Sequence, residues 1–268
     1  MAKISKALKI IREVSRRPKS LAKVLEDDAI YRRQVTKRYP AFSNGFPVVD
    51  ICDLFPGLDE KIEYGFLEGT SFPLDLVLLK KLAQRSPDCI YLEIGTWRGE
   101  SVRTVAGAAR ECYSVNLPDD TMRQMGLPEE YIRSHRFFSK GLPNVNHVFA
   151  DSQTFDFSSI GRKFDLVFID GDHHFESVKR DTASLFPLLN DERSVMVWHD
   201  YLFPSGAMRW EVMNAILDGL APERHAYLYH VSNTLCAAYI PQRLKTRSFD
   251  PYAAPEKVFE LSIRARKL

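Results

Sequence analysis

Residues 88–101 read DCIYLEIGTWRGES, and the fold is decided there. CIYLEIG is a short, near-continuous apolar run with the composition of a strand buried on both faces. Gly95 and Gly99 follow it at Gly-x-x-x-Gly spacing, and SVRTVAGAAR then has the pattern of a helix. A strand, a glycine turn and a helix in that order begin an open α/β sheet. Ligands bind such sheets at the carboxyl ends of the strands, near the point where strand order reverses.

The same alternation runs on from this point. ECYSVNL, NVNHVFA, KFDLVFID and RSVMVWHD read as strands; EEYIRSHRFFSK, FESVKRDTASLFPLL and MRWEVMNAILDGL read as helices. In the second helix Phe175, Val178, Leu185, Phe186 and Leu189 make the inner face. HAYLYHV and TLCAAYI, joined by Ser-Asn, read as a closing hairpin. The expectation is a Rossmann-like, doubly wound, mainly parallel seven-stranded sheet with an antiparallel C-terminal hairpin strand.

Residues 1–85 look different and predict an N-terminal helical extension. Apolar spacing predicts an amphipathic helix over 3–15 and a second over 19–34. The stretch PAFSNGFPVVDICDLFPG reads as an irregular wrap, and SFPLDLVLLKKLAQRS as a helix ended by Pro87. The expected organisation is a helical segment over 1–85, a ligand-binding domain over 86–241 and a tail over 242–268. The aromatic, proline-rich run 40–56 motivates a role for the first segment as a lid or acceptor region.

Composition bounds the rest. The 268 residues carry a net charge of +2, unevenly placed: residues 1–40 hold +8 and the remainder −6. A basic arm fits either a solvated helix face or contact with an anionic membrane surface. No aromatics are interleaved with basic residues along a groove, so nucleic acid is not the expected partner. Cys52, Cys89, Cys112 and Cys236 lack Cys-x-x-Cys spacing and read as free thiols in a reducing compartment. No apolar run approaches the roughly 18 residues of a membrane span. Lys and Arg interrupt the start of the chain where a signal peptide would be apolar, so a cytoplasmic protein is expected.

The chemistry is read from three motifs. Glu93 stands two residues before Gly95, where a carboxylate would repel a pyrophosphate and suit a cationic amino group. S-adenosylmethionine carries such a group and a sulfonium. Phe168-Ile169-Asp170-Gly171-Asp172-His173 ends the fourth strand, and His199-Asp200-Tyr201 ends the fifth. With the glycine loop, these motifs resemble the class I S-adenosylmethionine-dependent methyltransferases over residues 90–201. Within them they are similar to the methyltransferase family 24-like branch, related to metal-dependent small-molecule O-methyltransferases.

The resemblance implies roles by position. Glu93, Gly95, Thr96, Gly99 and Ser101 would serve the methionine end of the cofactor. Asn116 stands where relatives carry a ribose-binding acid, with Asp119 or Asp120 as substitutes, and Asp151 and Ser152 would lie beside the adenine. Asp170, His199 and Asp200 are candidate ligands for Mg2+ or another divalent cation that lowers the pKa of an acceptor hydroxyl. Asp170 and His173 are the candidate catalytic groups, His173 as a metal-free general base in the other reading. Trp97, Phe72 and Tyr201 are candidate pocket walls. Bland readings stand beside these: Asp151 as a turn residue, Asp172 or His173 as a helix cap, His199 as a satisfied strand-end histidine.

The expected activity is O-methylation of a small hydroxylated metabolite or a sugar, with oligomeric state, including a homo-oligomer, left open. Alternatives are a cofactor-binding scaffold or sensor with a basic interaction arm, and a nucleotide-dependent enzyme on a similar sheet. The second suffers from the glycine spacing and from Glu93.

Overall fold

The computed structural model describes residues 28–267. The helix expected over 3–15 and most of the one over 19–34 lie outside these residues. Helix α1 (Asp28–Arg38) opens the described chain. Eight strands form one sheet: β1 (Val48–Val49), β2 (Ile90–Ile94), β3 (Glu111–Asn116), β4 (Val145–Phe149), β5 (Leu166–Ile169), β6 (Val195–Trp198), β7 (Leu228–Val231) and β8 (Ala237–Tyr239). Their spatial order is β1-β7-β8-β6-β5-β2-β3-β4. Only β8 runs antiparallel to its neighbours, between β6 and β7, and Asn233 makes the β7–β8 turn with φ 64°.

Strand alternation explains why both faces are covered. Val167, Ile169, Met196 and Trp198 point to one face, against α1, α7 (Phe175–Leu185) and α8 (Trp210–Gly219). Leu166, Phe168, Val195 and Val197 point to the other. There they meet α2 (Ile51–Leu54), α3 (Pro73–Ala83) and α4 (Glu100–Ala106). A strand buried on both sides must be apolar at every position, which is what these sequences show. Trp198 Nε1 finds a partner in Thr182 Oγ1 of α7, 2.8 Å away, so its burial leaves no orphan donor.

The sheet has eight strands rather than the expected seven, and the extra one comes from the wrap. Val48 and Val49 pair in parallel with His230 and Val231 of β7. Phe46, Val48, Val49 and Ile51 are buried. The run 40–56 is therefore sheet edge and core, and that burial removes the reason to read it as a lid. The described part of residues 1–85 is therefore not purely helical, since it contributes β1 to the sheet. Two residues carry no periodicity, so this strand leaves no pattern to read.

Two other differences matter for the site. In EEYIRSHRFFSK the helix (α6, Glu129–Ser134) stops early, and Arg136 turns the chain with φ 65°. The amides of Arg136 and Phe138 then donate to the carbonyls of Trp97 and Arg98 at 2.8 Å, bracing the glycine loop. Residues 242–267 form no helix or strand. They lie along the body through an isolated bridge between Val48 and Arg247 and through ion pairs of Lys257 with Asp50 and Arg266 with Glu63.

Tyr201 is fully buried, stacks on Phe46 at 5.0 Å between ring centroids, and accepts the Phe46 amide at 2.8 Å. It is core rather than pocket wall. Tyr201→Phe keeps the stacking but orphans a buried N–H, so it should cost about 1–3 kcal/mol. At about 2–4 °C per kcal/mol for a domain of this size, calorimetry should show a clearly lowered Tm.

Candidate functional site

The chain leaves β2, forms β3 and β4 on one side, then crosses back to place β5 on the other. Strand order reverses between β2 and β5, whose carboxyl ends are where open α/β sheets form a ligand crevice. Gly95 stands there with φ +96°, and a Cβ on it would meet the Asp170 carbonyl oxygen at 2.0 Å. Only glycine allows this approach. Gly99, φ +83°, is required for a different reason: its Cβ would strike Ser139 Oγ at 2.2 Å.

Glu93 does not open onto this crevice. The period of two along β2 turns it toward the face that α4 covers, where it is 0% exposed. Its carboxyl accepts the hydroxyls of Tyr91 (2.8 Å), Ser101 (2.7 Å) and Ser114 (2.7 Å). Thr96 Oγ1 shares a hydrogen bond of 2.6 Å with Ser114 Oγ. The Glu93, Thr96 and Ser101 side chains thus form one network beneath the loop. The expectation that the Glu93 carboxylate meets a cofactor amino group directly is corrected: it supports the loop from below. Burial pushes this carboxyl up to about 7 against its three hydroxyl donors, and Asp170 adds to the rise.

Asn116 ends β3, its Nδ2 donating to Leu117 O at 3.2 Å. Its expected substitutes are engaged, Asp119 with Arg136 at 3.2 Å and Asp120 with Arg123 at 2.8 Å. Asp151 accepts the Gln153 amide at 2.9 Å, a turn geometry. Ser152 accepts from Gln153 Nε2, which also reaches Asp181 Oδ1 at 2.9 Å. Asp181 is buried on α7, and burial raises its carboxyl to about 7. An acid at an inner position of this amphipathic helix is the sequence signal that marks it.

The second cluster converges at the ends of β5 and β6. His199 Nδ1 lies 3.0 Å from Asp170 Oδ1 and 3.7 Å from Asp200 Oδ2, yet it is buried without an aligned hydrogen bond. Arg209 holds Asp200 Oδ1 at 3.3 Å. His173 Nδ1 stands 3.9 Å from Asp200 Oδ2, on a side chain 43% exposed. Asp170, His173, His199 and Asp200 line a shallow pocket with Gly171, Asp172 and Val178. Asp172 is spoken for: it accepts from Ser177 Oγ at 2.7 Å and pairs with His174, at the start of α7.

Two residues from outside the motifs join this cluster. Ser71 Oγ lies 3.5 Å from Asp170 Oδ2, and Asp75 Oδ2 lies 3.2 Å from His199 Nε2. Asp75 was legible as the lone acid within the apolar run LDLVLL. Burial pulls the His199 imidazole down, but Asp170, Asp200 and Asp75 outweigh it and hold its pKa well above the ordinary value. Burial raises the Asp170 carboxyl against the opposing pull of His199. Burial also acts to raise Asp200, but His199, Arg209 and His173 together bring it below the carboxylate range. Of the expected walls, Phe72 stays partly exposed just before α3. Trp97 packs on Tyr131 and His135 at 4.2 and 5.2 Å.

A mainly parallel sheet with this switch-point loop, and a polar cluster on the next two strand ends, defines a Rossmann-like domain. Residues 92–201 match the family model described as a methyltransferase domain. The match covers 110 of the 268 residues, and that stretch is similar to a methyltransferase domain. No curated protein matches the chain.

Among solved structures it is similar to CalS10, an amino pentose methyltransferase from Micromonospora echinaspora, at 18% identity and TM-score 0.37. That match covers 55% of this chain and 61% of the other. It is similar to the calicheamicin methyltransferase CalS11 at 16% identity and TM-score 0.45, covering 62% and 77%. It is also similar to DesVI of Streptomyces venezuelae at 18% identity and TM-score 0.34, covering 49% and 50%. The chain thus spans less than two thirds of CalS10 and of DesVI. Among the described residues no helix is long and apolar enough to cross a membrane.

The Glu93 environment makes a prediction about pH. The folded carboxyl titrates near 7 and the unfolded one near its ordinary 4.5, so between these values the folded state holds the extra proton. Stability therefore falls as pH rises through that window. Glu93→Gln has no proton to lose. From pH 5 to pH 8 the Tm of the unaltered protein should fall relative to that of the variant; a constant difference would contradict the buried titration.

Proposed function

We propose that the chain transfers the methyl group of S-adenosylmethionine to a hydroxyl of a small acceptor, a hydroxylated metabolite or a sugar. In this reading Asp170, His199 and Asp200 hold a divalent cation. The observation that carries it is His199 Nδ1, buried without a hydrogen bond between two carboxylates. One ligand atom from each of the three residues falls within 4.8 Å of the others. An imidazole and two carboxylates fit Mg2+ or Mn2+.

The cofactor would lie over Gly95 in the β2–β5 crevice, with its ribose toward Asn116 and its adenine toward Asp151 and Ser152. Strand order supports this, since these residues follow β2, β3 and β4 in succession across the sheet. A bound cation would lower the pKa of the acceptor hydroxyl. His173, at the pocket lip, takes the hydroxyl proton. The acceptor oxygen then bonds the methyl carbon as the carbon–sulfur bond breaks, and its electron pair leaves on sulfur as a neutral thioether. Arg209 keeps the Asp200 carboxylate in place. Because the leaving group is neutral, alignment and deprotonation are the work left to the protein.

The test begins with calorimetric titration of the protein with S-adenosylmethionine and, as control, NAD. S-adenosylmethionine should bind and NAD should not. With a panel of hydroxylated acceptors, S-adenosylhomocysteine should accumulate with magnesium and cease with EDTA. Asp200→Asn should lower turnover about 100-fold while S-adenosylmethionine affinity is kept. Turnover indifferent to EDTA would overturn the cation and leave His173 as the base acting alone. Binding of NAD in place of S-adenosylmethionine would overturn the whole reading.

A further inference from the structure

We propose that Asp75, which lies outside the matched domain, is a positioning residue that fixes the ring orientation and tautomer of His199. The inference rests on the cation reading above. Asp75 is the third residue of α3 and is 0% exposed. Its Oδ2 accepts the Phe72 amide at 2.7 Å, and its Oδ1 accepts the Leu235 amide at 2.8 Å and the Cys236 thiol at 3.7 Å. Two separate parts of the chain therefore hold this carboxylate: the α3 N-terminus and the Leu235–Cys236 segment just before β8.

Against this fixed acceptor stands His199 Nε2, at 3.2 Å. A carboxylate only accepts, so Nε2 must carry the hydrogen. In the neutral ring that leaves Nδ1 with the lone pair, on the edge that faces Asp170 and Asp200. A carboxylate on one ring nitrogen that presents the other to a cation is a recurrent means of orienting a histidine ligand.

Asp75, His199 and Cys236 also satisfy the distances of a metal group by themselves. The hydrogen-bond pattern argues against that use. Both Asp75 oxygens already take backbone amides, whose hydrogens would point at any ion bound there. The two groups share His199 through opposite nitrogens, and the buried one braces the one that opens on the pocket.

The experiment uses the full chain. Titration with Mn2+, followed by electron paramagnetic resonance, compares the unaltered protein with Asp75→Asn. S-adenosylmethionine affinity and thermal melting report whether the variant is folded. The Kd for Mn2+ should rise about 10- to 100-fold in the folded variant. In parallel, long-range 1H–15N spectra of the magnesium-saturated, unaltered protein should show His199 protonated at Nε2 and bare at Nδ1.

An unchanged Mn2+ affinity in folded Asp75→Asn, or a proton on Nδ1, would overturn this inference and leave the cation reading standing. Absence of Mn2+ binding in the unaltered protein would overturn both. If Asp75→Asn does not fold, the tautomer in the unaltered protein decides alone.

Discussion

Gly95 and the Asp170 carbonyl are packed so closely that a single methyl group on Gly95 would lie 2.0 Å from that oxygen. This contact pins the loop after β2 against the loop after β5. It brings the glycine turn, the FIDGDH segment and, through β6, the HDY segment to one rim of the sheet. Because β2 and β5 pair in register from Tyr91–Leu166 to Ile94–Ile169, a slip by one residue would exchange the faces of every side chain on one strand. Glu93 and Asp170 would then leave their partners. The crevice is thus a consequence of strand order and one missing Cβ.

Charge is arranged differently above and below that rim. Beneath it, Glu93 is given three hydroxyl donors and no cation, and the cost of burial appears as a raised pKa. Above it, Asp75, Asp170 and Asp200 crowd one imidazole and one guanidinium. The carboxylates around His199 outnumber the cationic groups that pair with them. A buried surplus of that kind is costly unless it is matched. The centre suits a positively charged partner.

The parts of this arrangement visible in the sequence were those set by repetition. Strands buried on both faces show as apolar runs, and their alternation with amphipathic helices identifies the sheet. Polar motifs at strand ends then locate the rim. What escaped was set by single residues or by tertiary contact. Val48–Val49 is too short for a pattern and becomes a strand only because β7 offers an open edge. Glu93 was legible as important but misread in direction, although the alternation of YLEI turns it away from the opening. Tyr201 looked like a pocket wall because it follows His199-Asp200, yet the Phe46 amide and ring draw it into the core. Asp75 lies far along the chain from the motifs, and only the fold carries it to His199.

The composite nature of the site follows from these contacts. Thr70 and Glu68 are tied to Arg98 in the glycine loop, Thr70 also to Glu100 at the head of α4. Ser71 and Asp75 reach the Asp170 and His199 side chains. Residues 68–75 therefore touch both the glycine loop and the polar cluster at the ends of β5 and β6. The segment has helix only from Pro73 onward. Its placement depends on Phe72 and Asp75 closing the first turn of α3 against β8. A change in this segment would alter the geometry of the motifs without touching them, because its contacts reach beyond the 92–201 match.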